Sequence, residues 1–306
     1  MNVRRPTREN LQRVAEEIRG GQLAILPTET VYGLAADATN PDAVAKIFEL
    51  KGRPSDNPLI VHVSSVEQFA DFAAEIPEVV HLLAEAFMPG PLTLVLPKRS
   101  SVSGLITGGL DTVAIRIPDH PACLAVMELG QLALAMPSAN RFMALSPTNV
   151  DMLELSISAG VSTIIDGGPC SIGIESTVLD LTGEPVILRP GSVGREEIEA
   201  ALSLRIGVGS DERKAPGMYR RHYSPRTPCS VRKTVDGSEA GLVFGNIANG
   251  DQIQMPADSR AYARLLYAAL ADLDGRGVSK FVIQAPPKTE DWIPVWDRIS
   301  KATATI

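Results

Sequence analysis

The feature that most constrains this chain is a series of short apolar runs that do not alternate regularly with helical segments. The runs cover 23–26, 59–63, 92–96, 113–117, 132–136, 162–165, 177–181 and 186–188. Each is too short for a helix and is bounded by turn formers, so each reads as a buried strand. Helical patterns fall near 78–87, 120–129, 148–158 and 195–203. Thr7 caps a further helix, in which Leu11, Val14, Ala15 and Ile18 recur at i, i+3, i+4 and i+7 and Gly20-Gly21 is the stop. Asn40-Pro41 opens another, with Pro at the first helical position and Ala43, Val44, Ile47 and Phe48 facing inward. Ser64 with Glu67 three residues on reads as a capping box that starts one more. Strands and helices mixed in this way predict an α/β fold built on a twisted mixed sheet with flanking helices, not a doubly wound parallel sheet.

The character changes near residue 205. Gly207, Gly209, Ser210, Asp211 and Glu212 are loop formers, and Pro216, Pro225 and Pro228 forbid a regular helix or central strand over 215–228. Residues 206–228 are therefore expected to be an ordered linker between a first domain, 1–205, and a second, 229–306. The second reads as a small α/β unit: strand 242–244, helix 260–273, strand 280–283, helix 291–303. Between 213 and 226 the linker holds Arg213, Lys214, Arg220, Arg221 and Arg226 and no acid. With Met218, Tyr219 and Tyr223 among them, such a segment is suited to lie across an anionic site as a lid.

Composition then excludes function classes. The chain has 29 Lys+Arg against 36 Asp+Glu, a net charge of -7. That opposes tight non-specific nucleic-acid binding, which rests on phosphate neutralisation. Aromatics make up 5%, too few for a broad base-stacking platform. Cys123, Cys170 and Cys229 are far apart, which gives neither a disulfide framework nor a CxxC metal pair. A reducing, cytoplasmic compartment fits that usage. No stretch approaches the ~18 apolar residues of a membrane span. The sequence has no P-loop, GxGxxG, HExxH or GxSxG motif, and its four histidines lack metal spacing. A covalent nucleophile and a dedicated metal site are not expected.

What remains is a set of anion-suited groups. Lys51 and Arg53 flank Gly52 and, on an extended surface turn, would point to one side; alone, such a pair is more often solvated. Pro137-Ser138-Ala139-Asn140 follows an apolar strand, where α/β folds place ligands, although Pro, Ser and Asn also make plain turns. Glu175-Ser176-Thr177-Val178 and Arg189-Pro190-Gly191 end the list, with Arg189 closing a strand. Arg116 sits inside the run Val113–Ile117 and needs a partner or ligand, because burying a lone charge is costly. His62 lies in an apolar strand, where a hydrogen-bonded core role is the commoner one.

Taken in order, PTETVYGL (27–34), KGRP-x-x-NPLIVHV (51–63), AIRIP (114–118), PSAN (137–140), SPT (146–148), ESTV (175–178) and LRPGS (188–192) resemble the successive motifs of a YrdC-like domain. The stretch 215–225, APGMYRRHYSP, resembles the linker of two-domain threonylcarbamoyl-AMP synthases. The resemblance implies an enzyme, a nucleotidyltransferase that joins L-threonine, bicarbonate and ATP, with Mg2+ on the phosphates, into threonylcarbamoyl-AMP and pyrophosphate. It implies a threonine site at Thr28, Tyr32, His62, Arg116 and Ser176. It implies an ATP site at Lys51, Arg53, Asn57, Thr112, Ser138, Asn140, Ser146, Arg189 and Tyr223, with Lys51 and Arg53 acting on the phosphates. The implied partner is a threonylcarbamoyl transferase machinery that accepts the product, and tRNA is reached only indirectly. A double-stranded RNA-binding module and a carbamoyl-transfer enzyme of the hydrogenase-maturation type are the competing readings. Two departures stand out: Arg141-Phe142-Met143 replaces small residues after SAN and is expected to reshape the loop there, and Arg220 replaces a tyrosine in the linker.

Overall fold

The structure, a computed structural model, describes residues 2–209 and 219–304. Its strands are β1 (Val3–Arg4), β2 (Ala24–Leu26), β3 (Gly33–Asp37), β4 (Ile60–His62), β5 (Leu92–Pro97), β6 (Thr112–Arg116), β7 (Leu134–Ala135), β8 (Thr163–Ile165), β9 (Thr177–Asp180), β10 (Val186–Arg189), β11 (Gly207–Val208), β12 (Cys229–Arg232), β13 (Gly241–Val243), β14 (Gln252–Gln254) and β15 (Phe281–Gln284). The helices are α1 (Arg8–Arg19), α2 (Pro41–Lys51), α3 (Phe69–Phe72), α4 (Glu78–Phe87), α5 (Gly104–Thr107), α6 (Pro121–Gly130), α7 (Leu155–Ser158), α8 (Arg195–Leu202), α9 (Ser259–Gly275) and α10 (Ile293–Thr303).

An 11-stranded sheet runs β1-β8-β2-β3-β7-β4-β6-β5-β9-β10-β11, and a 4-stranded sheet runs β12-β15-β13-β14. The first is mixed, with β4 parallel to β6 but antiparallel to β7, and β5 parallel to β9 but antiparallel to β6. The second is parallel throughout. The predicted α/β class with a twisted mixed sheet is the one observed. The caps hold as well: Thr7 Oγ1 accepts from Asn10 N, and Asn40 Oδ1 accepts from Asp42 N and Ala43 N.

Some local expectations are corrected. β3 is a strand although Gly-Leu-Ala-Ala-Asp has weak strand propensity; β2 and β7 pair with it on both sides. The C-terminal unit has four strands where two were expected, because β12 and β14 are short and partly polar and depend on parallel neighbours. β11 lies where a loop was expected and pairs with β10. The helix expected over 148–158 breaks into a 3-10 turn at Val150–Met152, capped by Asn149, and the four-residue α7. Ser64 opens no helix; its N–H and hydroxyl both bond Gln68 Oε1, and α3 starts only at Phe69.

Residue parity along the strands sets what each sheet face carries. Ile25, Leu34, Val61, Leu94, Ile115, Leu179 and Ile187 join one core with α2, α4 and α8. On the opposite face, Ala24, Leu26, Ala35, Leu134 and Ile165 pack under α1 and α6. Farther along that face, Ile60, Val95, Ala114, Val178 and Leu188 form a small cluster that, among the described residues, takes in no helical side chain. His62 and Arg116 share the parity of Ile60 and Ala114 and stand side by side in the β4–β6 register. Polar groups therefore enter the sheet beside this strand-only cluster.

The C-terminal unit closes this region. Its core of Leu242, Tyr262, Leu266, Tyr267, Phe281 and Trp292 takes in Val31, Ile174 and Tyr223 from the rest of the chain. Gly173 marks a close approach between the two. Its φ is +83°, and a Cβ there would meet the backbone of Arg264 in α9 at 2.4–2.7 Å. Gly168 has the same backbone sign, φ +82°, with open space around it. Gly173→Ala is therefore expected to cost about 1–3 kcal/mol more than Gly168→Ala, since backbone must move as well as strain. Equal losses in thermal melts of the two variants would show that the approach to α9 is not what requires glycine.

Candidate functional site

The site begins at the turn after β2. Thr28 Oγ1 donates to Val31 O at 2.7 Å and accepts from the N–H groups of Thr30 and Val31, which ties Pro27–Val31 into a tight hydroxyl-centred turn. With that proton used, the 2.9 Å contact between Thr28 and Thr30 hydroxyls makes Thr30 the donor. Thr30 Oγ1 in turn accepts from Arg116 Nη1 at 3.0 Å. Arg116 also donates to Gly90 O and forms a buried ion pair with Glu29 at 2.5 Å. Glu29 is thus the partner that the buried Arg116 required, and nothing in the local sequence pattern pointed to it.

Across β4 and β6, His62 stands beside Arg116. Burial and the Arg116 charge push its imidazole down to about 3, so it is neutral at ordinary pH. On the far side, Ser176 Oγ contacts Thr93 Oγ1 at 2.7 Å and accepts from Arg189 Nη2 at 3.0 Å. Arg189 Nε donates to Ser176 O. Glu175 receives the Ser146 hydroxyl at 2.6 Å, the Tyr267 hydroxyl at 2.9 Å and Arg298 Nε at 2.8 Å. Burial opposes its ionisation, but Arg298, Arg189 and Ser146 outweigh that and hold its pKa at about 2.

Arg53 donates to Asn57 Oδ1 and O and to Pro58 O. The surface turn expected for Lys51 and Arg53 is not observed, since both are buried. Gly52 ends α2 in the left-handed region, so the two side chains leave by different routes. Lys51 Nζ is held by Ser138 O at 2.6 Å and Asn140 O at 2.5 Å, and clips the PSAN loop from behind. Burial, with Arg53 nearby, pushes its pKa well below the ordinary value.

Thr28, Thr30, Arg53, His62, Arg116, Ser138, Glu175, Ser176, Arg189, His222 and Tyr223 line one cavity of about 50 Å³. Eight of the predicted site residues are among them: Thr28, Arg53, His62, Arg116, Ser138, Ser176, Arg189 and Tyr223. Lys51, Asn57, Asn140 and Ser146 sit one layer behind and bond lining residues or their loops. Tyr32 donates its hydroxyl to Gly168 O and accepts from Gly167 N, outside the lining. Thr112 starts β6, four residues or roughly 13 Å from Arg116. The two residues lie away from the cavity because a motif fixes sequence order, not the side to which each chain segment turns. Thr30, Glu175 and His222 also line it and were not among the expected site residues, although Glu175 stands in the Glu175–Val178 run noted from the sequence; the signal for all three was adjacency to Thr28, Ser176 and Tyr223.

Residues 219–225 cover the opening. Phe142 meets Tyr219 and His222 edge to face, with centroids 5.4 and 5.9 Å apart. Ser224 N donates to Met143 O, and His222 N to Lys301 O. The bulky Phe142 ring and the Met143 carbonyl thus seat the covering segment. Of the linker cations, Arg213 and Lys214 lie outside the described residues, Arg220 is exposed, and Arg226 pairs with Asp274 of α9. Among the described residues, both ring nitrogens of His222, the Tyr223 hydroxyl and Asn57 Nδ2 are buried without a hydrogen-bond partner. Unmet donors beside three arginines mark a receptor for a polar, anionic molecule. Cys123 and Cys170 are buried with thiols pushed up to about 12, which makes them poor nucleophiles.

Burial also drives His222 down to about 3. Held neutral in the fold, His62 and His222 bind protons only after unfolding at an ordinary pKa near 6.5. Their contribution is whole above pH 6.5 and declines as pH falls, by up to about 1.4 kcal/mol per pH unit for each. Between pH 6.5 and about 5.5 Glu175 stays ionised in both states, so histidines dominate. His62→Gln combined with His222→Gln should flatten the loss of melting temperature over that window. An unchanged slope would place the protons elsewhere.

Comparison with known proteins bears on this geometry. Residues 16–191 match the family described as telomere recombination, and residues 193–304 match the threonylcarbamoyl-AMP synthase C-terminal domain. The chain is 41% identical to the threonylcarbamoyl-AMP synthase of Pyrococcus abyssi, over 99% of this chain and 97% of that one. It is 37% identical to that of Bacillus subtilis, over 95% and 92%. A crystal structure of P. abyssi Sua5 complexed with L-threonine superposes with a TM-score of 0.90 at 40% identity, covering 99% of this chain and 96% of that one. Carrying both family domains in order along almost its whole length, the chain belongs to the threonylcarbamoyl-AMP synthase family.

Proposed function

We propose that this protein condenses L-threonine, bicarbonate and ATP into threonylcarbamoyl-AMP and pyrophosphate, the activated intermediate for N6-threonylcarbamoyladenosine in tRNA. The observation that carries the reading is the cavity in which Arg53, Arg116 and Arg189 meet hydroxyls and unmet donors in an otherwise acidic chain. Threonine bound to the P. abyssi relative supports the amino-acid half.

On this reading Thr28, Thr30, His62, Arg116 and Ser176 receive threonine. Neutral His62 contributes a hydrogen bond rather than a charge. Arg53, Ser138, Arg189 and Tyr223 receive the nucleotide, and Lys51, Asn57, Asn140 and Ser146 hold their loops. Glu29 and Glu175 are each paired to an arginine, so Mg2+ enters on the ATP phosphates rather than on a carboxylate cage. The threonine amine forms a carbamate, adding to carbon dioxide with loss of a proton or condensing with bicarbonate with loss of water. A carbamate oxygen then attacks the α-phosphorus, and the bond to the β-phosphate breaks to release pyrophosphate. This is nucleotidyl transfer without an enzyme nucleophile. Two anions must meet, so cations and exclusion of water supply most of the assistance. Residues 1–205 form the catalytic domain, 206–228 the covering linker and 229–306 the C-terminal domain. The enzyme works in the cytoplasm and hands its product to a threonylcarbamoyl transferase.

Three experiments test this. Purified protein with ATP, Mg2+, L-threonine and bicarbonate should release pyrophosphate and form threonylcarbamoyl-AMP; release that persists without threonine would refute the assignment. Arg53→Ala should lower turnover by about 10²-fold, the scale of a lost transition-state contact. Lys51→Ala should lower turnover and also destabilise the fold by about 1–3 kcal/mol, because buried carbonyls lose their donor. A Lys51→Ala protein that melts like the parent would return Lys51 to the phosphates.

A further inference from the structure

Arg298 belongs to α10 of the C-terminal unit, yet its guanidinium reaches the loops of the cavity. It is fully buried. Nε donates to Glu175 Oε2 at 2.8 Å and Nη2 to Glu175 O at 3.0 Å. Nη1 donates to Pro190 O at 2.8 Å and to Asp297 Oδ2 at 2.7 Å. Glu175 precedes Ser176 and Pro190 follows Arg189, the two lining residues already bonded to each other. The same guanidinium lies over the Tyr223 ring, 5.4 Å from its centroid. One side chain therefore joins two loops of the cavity floor and the segment that covers it.

A buried ion pair is weak evidence for stability, since apolar residues of similar volume often hold an interface as well. What the guanidinium adds is direction, because its donors lie in one rigid plane. We propose that Arg298 is a positioning residue for the reaction. From the C-terminal domain it fixes Ser176 against Arg189 and holds Tyr223 over the cavity, so that the amino-acid and nucleotide halves meet at reacting distance. It touches neither substrate. The inference rests on the function proposed above and assigns the C-terminal domain a part in the chemistry.

The test uses the full-length chain. Arg298→Lys keeps a charge for Glu175 but cannot bridge both loops. It should melt close to the parent, lose roughly 10- to 10²-fold in kcat, as a displacement of about 1 Å can cause, and change KM much less. Trypsin should cut after Arg221 several-fold faster in this variant. Arg260→Lys is the control: the Arg260–Glu197 pair also joins α9 to α8 but is exposed and touches no cavity loop. If Arg298→Lys does not fold, Arg298→Gln with Glu175→Gln leaves no lone buried charge, and its kcat should fall below that of Glu175→Gln alone. A parental kcat and cleavage rate would overturn the proposal, as would a loss of kcat that vanishes on cooling well below the melting point. If the parent itself makes no threonylcarbamoyl-AMP, the functional reading fails instead, and the cleavage rates still report on Arg298.

Discussion

The structure turns on the carboxylate of Glu175. It is buried where the two units of the chain meet and takes hydrogen bonds from Ser146 of the N-terminal unit and from Tyr267 and Arg298 of the C-terminal unit. Burying a carboxylate disfavours its charge, so its ionised state depends on those neighbours. The dependence runs both ways, since Arg298 is itself fully buried and requires the same anion. Neither half satisfies its polar groups alone. The shared apolar core of Val31, Ile174 and Tyr223 with α9 adds area to the junction, and the ion pair adds register.

That junction explains why the cavity is covered. Among the described residues, the cluster on the face over β4, β6, β5, β9 and β10 takes in no helical side chain, and the polar ends of those strands would otherwise open to solvent. The linker at 219–225 and the C-terminal unit cover it instead. A cover of this kind strengthens every charge interaction beneath it and keeps water from a labile mixed anhydride. The aromatic seat at Phe142 shows how local substitutions are absorbed. Residues bulkier than the family pattern became the surface against which Tyr219 and His222 rest.

Much of this was legible in the chain. Apolar runs located most strands, because a strand buried on both faces needs continuous aliphatic residues. Caps at Thr7 and Asn40 placed two helix starts, since an unpaired backbone N–H must find an acceptor locally. Motif order pointed to the cavity, and eight predicted residues line it. Strands that depend on neighbours for their pairing, such as β3, β12 and β14, had no comparable local signal. The break at Leu153 and the Gln68 contact of Ser64 were likewise settled by particular geometry that periodicity does not encode.

By itself the sequence determined the fold class, the order of the motifs and the cationic chemistry of the site, because these depend on residue type and spacing along the chain. Only the tertiary structure decided which cation faces the cavity. Lys51 and Arg53 are two residues apart, yet the left-handed Gly52 sends one to the carbonyls of the PSAN loop and the other to the cavity wall. It also decided that Arg116 is held by Glu29, and that Glu175, 123 positions before Arg298, shares its charge with the last helix. Such pairings are long-range, and a buried charge selects its partner by distance in space, which no local pattern records.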